Sequence, residues 1–173
     1  MLALLLLGWV AAIATVQDPA KAVTAKVYAS TDKVVRGGSF EVAVVLDIDP
    51  KFHINSAKPL DENLIPTKVE LLETSGFKFS PPSYPKGTLQ KFSFSDQSLS
   101  VYHGRVIIRL SGNAAKNVEL GQKKLKLQLA YQACNDQACF APKKVELPLE
   151  IEVVAPGTKI SPINQEFFPR RGR

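Results

Sequence analysis

At 173 residues, 45% hydrophobic and 22% charged, the chain has material for one globular domain with its own core and not for two. The net charge of +6 does not mark a surface for polyanions, because +3 of it falls in the last eighteen residues, where Lys159, Arg170, Arg171 and Arg173 outnumber Glu166. Lys124 and Lys126, beside Lys123, alternate with Leu125, Leu127 and Leu129 as the wet face of a strand does, and no aromatic residues interleave with them, so no nucleic-acid partner is expected.

Met1 to Gln17 carry no charged side chain, and Leu2 to Val16 form a fifteen-residue apolar run broken only by Gly8 and Thr15. The run is short of the about 20 residues that a membrane span needs. Residues 1–17 therefore read as an export signal peptide, with Ala12-Ile-Ala14 as an A-x-A cleavage pattern. The usual basic residues before the run are missing, so the alternatives are a start further upstream or retention of the segment as an N-terminal anchor. Export would carry the cysteines into an oxidising compartment.

Residues 18–155 are expected to form the folded domain. A period of two begins at Val23, Ala25 and Val27 and is clearest at Phe40, Val42, Val44, Leu46 and Ile48, with Glu41 and Asp47 facing the other way. It returns at Thr67, Val69 and Leu71, at Leu125, Leu127, Leu129 and Tyr131, and at Val145, Leu147, Leu149, Ile151 and Val153. Breaks are expected at Gly37-Gly38, Asp49-Pro50, Pro81-Pro82, Ser111-Gly112-Asn113 and Asn135-Asp136. No long stretch holds a 3.6-residue period, so the fold class is all-β. Short strands at these intervals predict an immunoglobulin-like antiparallel β-sandwich. Ser80 to Ser100, rich in proline and serine, reads as a long connection at one end of the sandwich, where it can cover a site. Residues 156–173 read as a flexible tail.

The two cysteines, Cys134 and Cys139, stand in the run Tyr131-Gln-Ala-Cys-Asn-Asp-Gln-Ala-Cys-Phe-Ala-Pro142. A disulfide between them would close so short a loop that chain entropy gives roughly 2 kcal/mol, against about 5 for a hundred-residue loop. Such a pair is a poor staple and suits redox exchange, which opens and closes the bond without unfolding the domain. An inert local disulfide, a metal site and two free thiols are the other readings of the spacing. The strands ending at Tyr131 and starting near Lys144 predict a hairpin with Asn135 to Ala138 at its tip and the cysteines facing across it, about 4.5 to 5.5 Å apart at their alpha carbons. Cys134 has the parity of Lys124 and Lys126, which predicts that the pair lies near the surface.

That cysteine run, with alternating strands on both sides, resembles the N-terminal periplasmic domain of the thiol:disulfide interchange protein DsbD. Lys51-Phe-His-Ile-Asn55, Ile65-Pro-Thr-Lys-Val-Glu70, Pro82-Ser-Tyr-Pro85 and Tyr102-His-Gly104 are similar to that family's upstream segments, and the likeness covers residues 22 to 154. The resemblance implies an immunoglobulin-like domain, monomeric and periplasmic, that passes reducing equivalents through a Cys134–Cys139 pair. It implies thioredoxin-like partners of the disulfide isomerase or cytochrome c maturation type, and a membrane or thioredoxin-like electron donor. The family's roles make Cys139 the sulfur that forms the mixed disulfide and Cys134 the resolving one. A cap loop corresponds to part of Gly87 to Ser98, where Phe92 and Phe94 are either its covering rings or ordinary strand and core aromatics. The 173 residues contain neither a membrane bundle nor a Trp-Cys-x-x-Cys segment, so the donor is expected on another polypeptide or in a longer chain of which this is a fragment.

An isolated histidine on a strand reads first as a hydrogen-bonded structural residue, but His53 and Asn55 match positions near the family's cysteine pair, which implies as the alternative a role in steering thiol protonation. His53 and His103 have no metal-ligand spacing with other ligands, so neither a metal nor a cofactor is expected. Asp136 reads equally as a turn former and as a carboxylate that raises a nearby thiol's pKa. Two rivals stand beside the redox reading: an exported immunoglobulin-like binding or assembly module with a purely structural disulfide, and a metal-binding protein using both cysteines and a histidine.

Overall fold

A computed structural model describes residues 21–168, so the leader expected at 1–17 lies outside the described residues. Twelve strands follow in chain order. They are β1 (Val23–Ala29), β2 (Lys33–Val35), β3 (Ser39–Ile48), β4 (His53–Asn55), β5 (Lys68–Glu73) and β6 (Phe77–Phe79), then β7 (Thr88–Gln90), β8 (Leu99–Tyr102), β9 (Arg105–Ala114), β10 (Gly121–Tyr131), β11 (Ala133–Cys134) and β12 (Lys143–Val154). Among the described residues there is no α-helix, and a 3-10 turn lies at Gln165–Phe167. None is a helix long and apolar enough to cross a membrane.

One sheet has the order β1-β3-β9-β6 and a second β2-β12-β10-β5. The inward residues of both meet in one core, where Val42, Val44 and Leu46 of β3 pack with Ile108 of β9, Leu127 of β10 and Leu147 of β12. Each fully buried aliphatic side chain contributes about 1.5–3 kcal/mol, which is why the alternating runs and not the turns define the sandwich. The β10–β12 register pairs Leu125 with Leu149 and Leu127 with Leu147 on the inner face. On the outer face Lys124 meets Glu150 at 3.4 Å, and Lys126 meets Glu73 at 3.1 Å and Glu146 at 3.6 Å. These lysines are a solvated face, and exposed pairs of this kind contribute about 1 kcal/mol or less each. All pairings are antiparallel except β2–β12, which is parallel over three residues.

A third, smaller sheet runs β11-β4-β8-β7. Ile54, Tyr102 and Ala133 from it join the main core, while Leu99 and Val101 form a separate cluster with Phe92 and Leu64. The expected connection from Ser80 to Ser100 contains β7 and leads into β8, so it is partly a hairpin.

Two expectations are corrected here. Ser111-Gly112-Asn113 is not a break but lies inside β9. Gly112 is there because a Cβ would come within 2.6 Å of the Phe40 ring and 2.7 Å of the Phe79 ring, so the glycine marks a close approach within a strand. The segment after Pro156, expected as a flexible tail, is docked on the first sheet as far as Phe168. The amide of Ile163 donates to Ser30 at 2.9 Å, the Asp32 amide to Ser161 at 3.0 Å, and the Arg109 guanidinium to the Phe167 carbonyl at 2.7 Å. Phe167 and Phe168 are buried against Ala43 and Val45, with Tyr28 and Ile107 at the edge. β3 is therefore covered on both faces along its middle, where the sequence pattern predicted one wet face.

Candidate functional site around Cys134 and Cys139

β10 ends at Tyr131, and the chain then leaves its sheet. Ala133 and Cys134 pair with β4 of the third sheet, Ala133 opposite Ile54 and Cys134 opposite His53. Beyond Cys134 the chain turns back. Asn135 accepts at its side-chain oxygen from the amides of Gln137 and Ala138, both at 2.9 Å, and its own amide donates to the Ala138 carbonyl at 3.0 Å. Asparagine suits this place because its side chain imitates the backbone acceptor of a turn. Cys139 returns opposite Cys134 as an isolated antiparallel bridge, and the two form a disulfide with alpha carbons 3.9 Å apart, closer than the strand geometry predicted.

The hairpin is where the spacing placed it, but its exposure is not. Cys134 has 0% of its surface accessible, whereas Cys139 is half-buried. The parity argument fails because it extended the β10 alternation through Gln132, where the strand changes sheets, and a side chain's face is reset with the register.

Gln132 holds this change of direction and was not singled out in the sequence. Its side-chain oxygen accepts from Asn55 Nδ2 at 3.0 Å and from the Ile65 amide at 3.3 Å, while its Nε2 donates to the Phe140 carbonyl at 3.1 Å. It thus ties both arms of the cysteine hairpin to β4 and to the loop before β5. The only sequence signal was a long amide at the point where apolar alternation stops. Asn55 is fully buried, donates also to the Ile65 carbonyl at 3.1 Å, and accepts the Thr67 hydroxyl on its backbone carbonyl at 2.6 Å.

The loop between β7 and β8 lies over His53. The Phe92 ring stacks on the imidazole with centroids 4.0 Å apart and planes 16° from parallel, and the Phe94 ring lies beside them, 5.4 Å from Phe92 and 6.4 Å from His53, nearly parallel to the imidazole. Phe92 is 5% exposed and Phe94 36%. The Ser93 hydroxyl donates to the Asp136 carbonyl at 3.0 Å, so this loop also touches the cysteine turn. The structure thus brings together all six residues singled out in the sequence: Cys134, Cys139, His53, Asn55, Phe92 and Phe94.

His53 is 2% exposed, and its Nε2 has no hydrogen-bond partner among the described residues. Burial above all, together with the exposed His103 ring 5.6 Å away, lowers its pKa to about 4, with Asp136 opposing both. At neutral pH the imidazole beside the disulfide is therefore uncharged. Among the described residues no group of three or more histidine, cysteine, aspartate or glutamate side chains is arranged to hold a metal ion.

The profile of a family described as the N-terminal domain of thiol:disulfide interchange protein DsbD matches residues 20–151. The fold is similar to the N-terminal periplasmic domain of ScsB from Proteus mirabilis, with a TM-score of 0.50 and 16% identity, covering 78% of this chain and 49% of that one. The chain thus spans about half the length of that ScsB domain. A second likeness is to the complex of the DsbD and PilB N-terminal domains from Neisseria meningitidis, with a TM-score of 0.47, 22% identity, and coverage of 78% and 88%. No curated protein sequence matches. With the family's profile extending over most of its length, this immunoglobulin-like β-sandwich with its Cys134–Cys139 disulfide belongs to the DsbD N-terminal domain family, whose members are thiol:disulfide interchange domains.

Proposed function

We propose that this domain works in the periplasm as a carrier of reducing equivalents, alternating between the Cys134–Cys139 disulfide and the dithiol. In the reduced form the Cys139 thiolate attacks the disulfide of a thioredoxin-like partner, of the isomerase or cytochrome c maturation type, and releases one partner thiolate. Cys134 then attacks the Cys139 sulfur of the mixed disulfide and releases the second. The partner gains two electrons and two protons, and the domain is left oxidised until a membrane-bound or thioredoxin-like dithiol donor reduces it. The observation that carries this reading is the unequal burial of the two cysteines, one sealed and one half-buried, on a hairpin that Gln132 and Asn135 hold together by hydrogen bonds of their own. His53 and Asn55 serve as the inner support of the pair, and Phe92 and Phe94 as its cap.

A redox titration tests the proposal. In glutathione buffers the pair should equilibrate reversibly, and the reduced domain should keep its β-sheet circular dichroism while losing no more than about 2 to 3 kcal/mol of stability. A disulfide that glutathione cannot open, or a fold that collapses when it opens, would instead favour an exported module with a structural bridge. The cap has its own test. Replacing Phe92 and Phe94 together by alanine should speed alkylation of the reduced pair by iodoacetamide about tenfold or more, and an unchanged rate in a folded variant would remove the cap from the reaction.

A further inference from the structure

The His53 imidazole is placed so that protonation where it lies is strongly disfavoured. It is 2% exposed, its Nε2 has no partner among the described residues, and Phe92 seals it face-on at 4.0 Å. A proton there would create a buried cation with an unsatisfied donor, which is strongly unfavourable. Its strand cannot move aside, because β4 is paired with β11 on one edge and β8 on the other. The covering loop can. Lys91 to Ser98 is mostly exposed and meets the cysteine turn through the Ser93–Asp136 hydrogen bond.

We infer that His53 is a positioning residue that makes the cap a proton-sensitive latch: the neutral ring holds Phe92 and Phe94 closed over the disulfide, and protonation releases them. The inference rests on the proposed role of the Phe92–Phe94 loop as a cap. The charged and titratable groups around the ring agree with it. His103, on the turn after β8, opposes protonation, while Asp136, on the cysteine turn, favours it but is exposed. Lys91 and Asp96 of the cap itself are exposed, with the Lys91 amino group donating to the Asp96 carbonyl. Cys134, opposite His53 on β11, is uncharged in the disulfide.

With the cap open, His53 regains water and an ordinary pKa of about 6.5. With it closed the value is about 4, so closing releases a proton. Closure carries no proton cost above about pH 6.5, and a cost that grows as the pH falls towards about 4, where the closed form itself protonates. Between pH 7.5 and 5.5 the ratio of closed to open should fall roughly tenfold.

The test is reduction of the disulfide by a water-soluble phosphine between pH 7.5 and 5.5. Each rate is divided by that of the free disulfide peptide Cys-Asn-Asp-Gln-Ala-Cys at the same pH, which removes the reagent's own titration. The normalised rate of the native domain should rise about tenfold on acidification. His53→Phe, which keeps a ring for Phe92 and cannot protonate, should be slow and flat. Phe92→Ala should be fast and flat. A flat native profile, or a rise that survives His53→Phe and disappears in His103→Gln, overturns the inference. Should His53→Phe fail to fold, the imidazole resonances decide: the His53 pKa must lie below about 5 in the native domain and move towards 6.5 in Phe92→Ala, and equal values in the two would sink the latch. The phosphine reaches an inert disulfide as well as an exchanging one, so these outcomes are independent of whether the domain exchanges with partners.

Discussion

Replacing Cys134 by serine should cause the domain to accumulate a stable mixed disulfide with a thioredoxin-like partner, while Cys139→Ser should trap almost none. The local sequence is close to symmetric, since each cysteine follows an alanine and no lysine, arginine or histidine lies between them. Burial breaks the symmetry. Cys134 is inaccessible on β11 opposite His53, and of the two cysteines only Cys139, half-buried past the turn, can meet a sulfur arriving from another protein. In the native domain the mixed disulfide is short-lived because its resolving thiol is intramolecular, with an effective concentration that can exceed roughly 10⁵ M for well-oriented groups. Removing that thiol should lengthen the lifetime by more than about a thousandfold. Non-reducing gels of periplasmic extract, with mass spectrometry of the trapped band, give the readout. Equal trapping by both variants would overturn the polarity and leave the exchange intact. No trapping by either, joined with resistance to glutathione, would turn the reading to a structural disulfide.

Phe167→Ala should lower stability by about 3 kcal/mol and the melting temperature by roughly 6–12 °C. The ring lies 4.6 Å from that of Tyr28 and covers Ala43 and Val45, so truncation uncovers the outer face of β3. The Arg109 bond goes to the Phe167 carbonyl and survives the change, which isolates the apolar contribution. Thermal unfolding followed by circular dichroism measures the effect. A shift below about 2 °C would mean that residues 156–168 do not dock in solution and that the tail is flexible as the sequence suggested.

Much of the sandwich is legible because its signal is local. Leu125, Leu127 and Leu129 alternate with lysines and glutamine, and any register that buries one leucine buries all three. The lysines then face water by the same rule, where the structure finds them paired with Glu73, Glu146 and Glu150. β9 was hidden although Val106, Ile108 and Leu110 alternate as well, because Gly112 imitates a turn. Its reason for being glycine, two phenylalanine rings from other strands, is not local.

The sequence alone determined that the strands are amphipathic, that the two cysteines fall on either side of a tight turn, and that a disulfide between them spans too few residues to be a strong staple. All three depend on neighbours within about ten positions. Only the tertiary structure decided which sulfur is sealed, since that follows from a change of sheet at Gln132, held by hydrogen bonds to Asn55, Ile65 and Phe140. It also decided that Phe92 covers His53 and that Phe167 and Phe168 cover β3. These contacts join segments tens of residues or more apart, and no periodicity within a segment records them, because burial by a distant part of the chain leaves no pattern in the part that is covered.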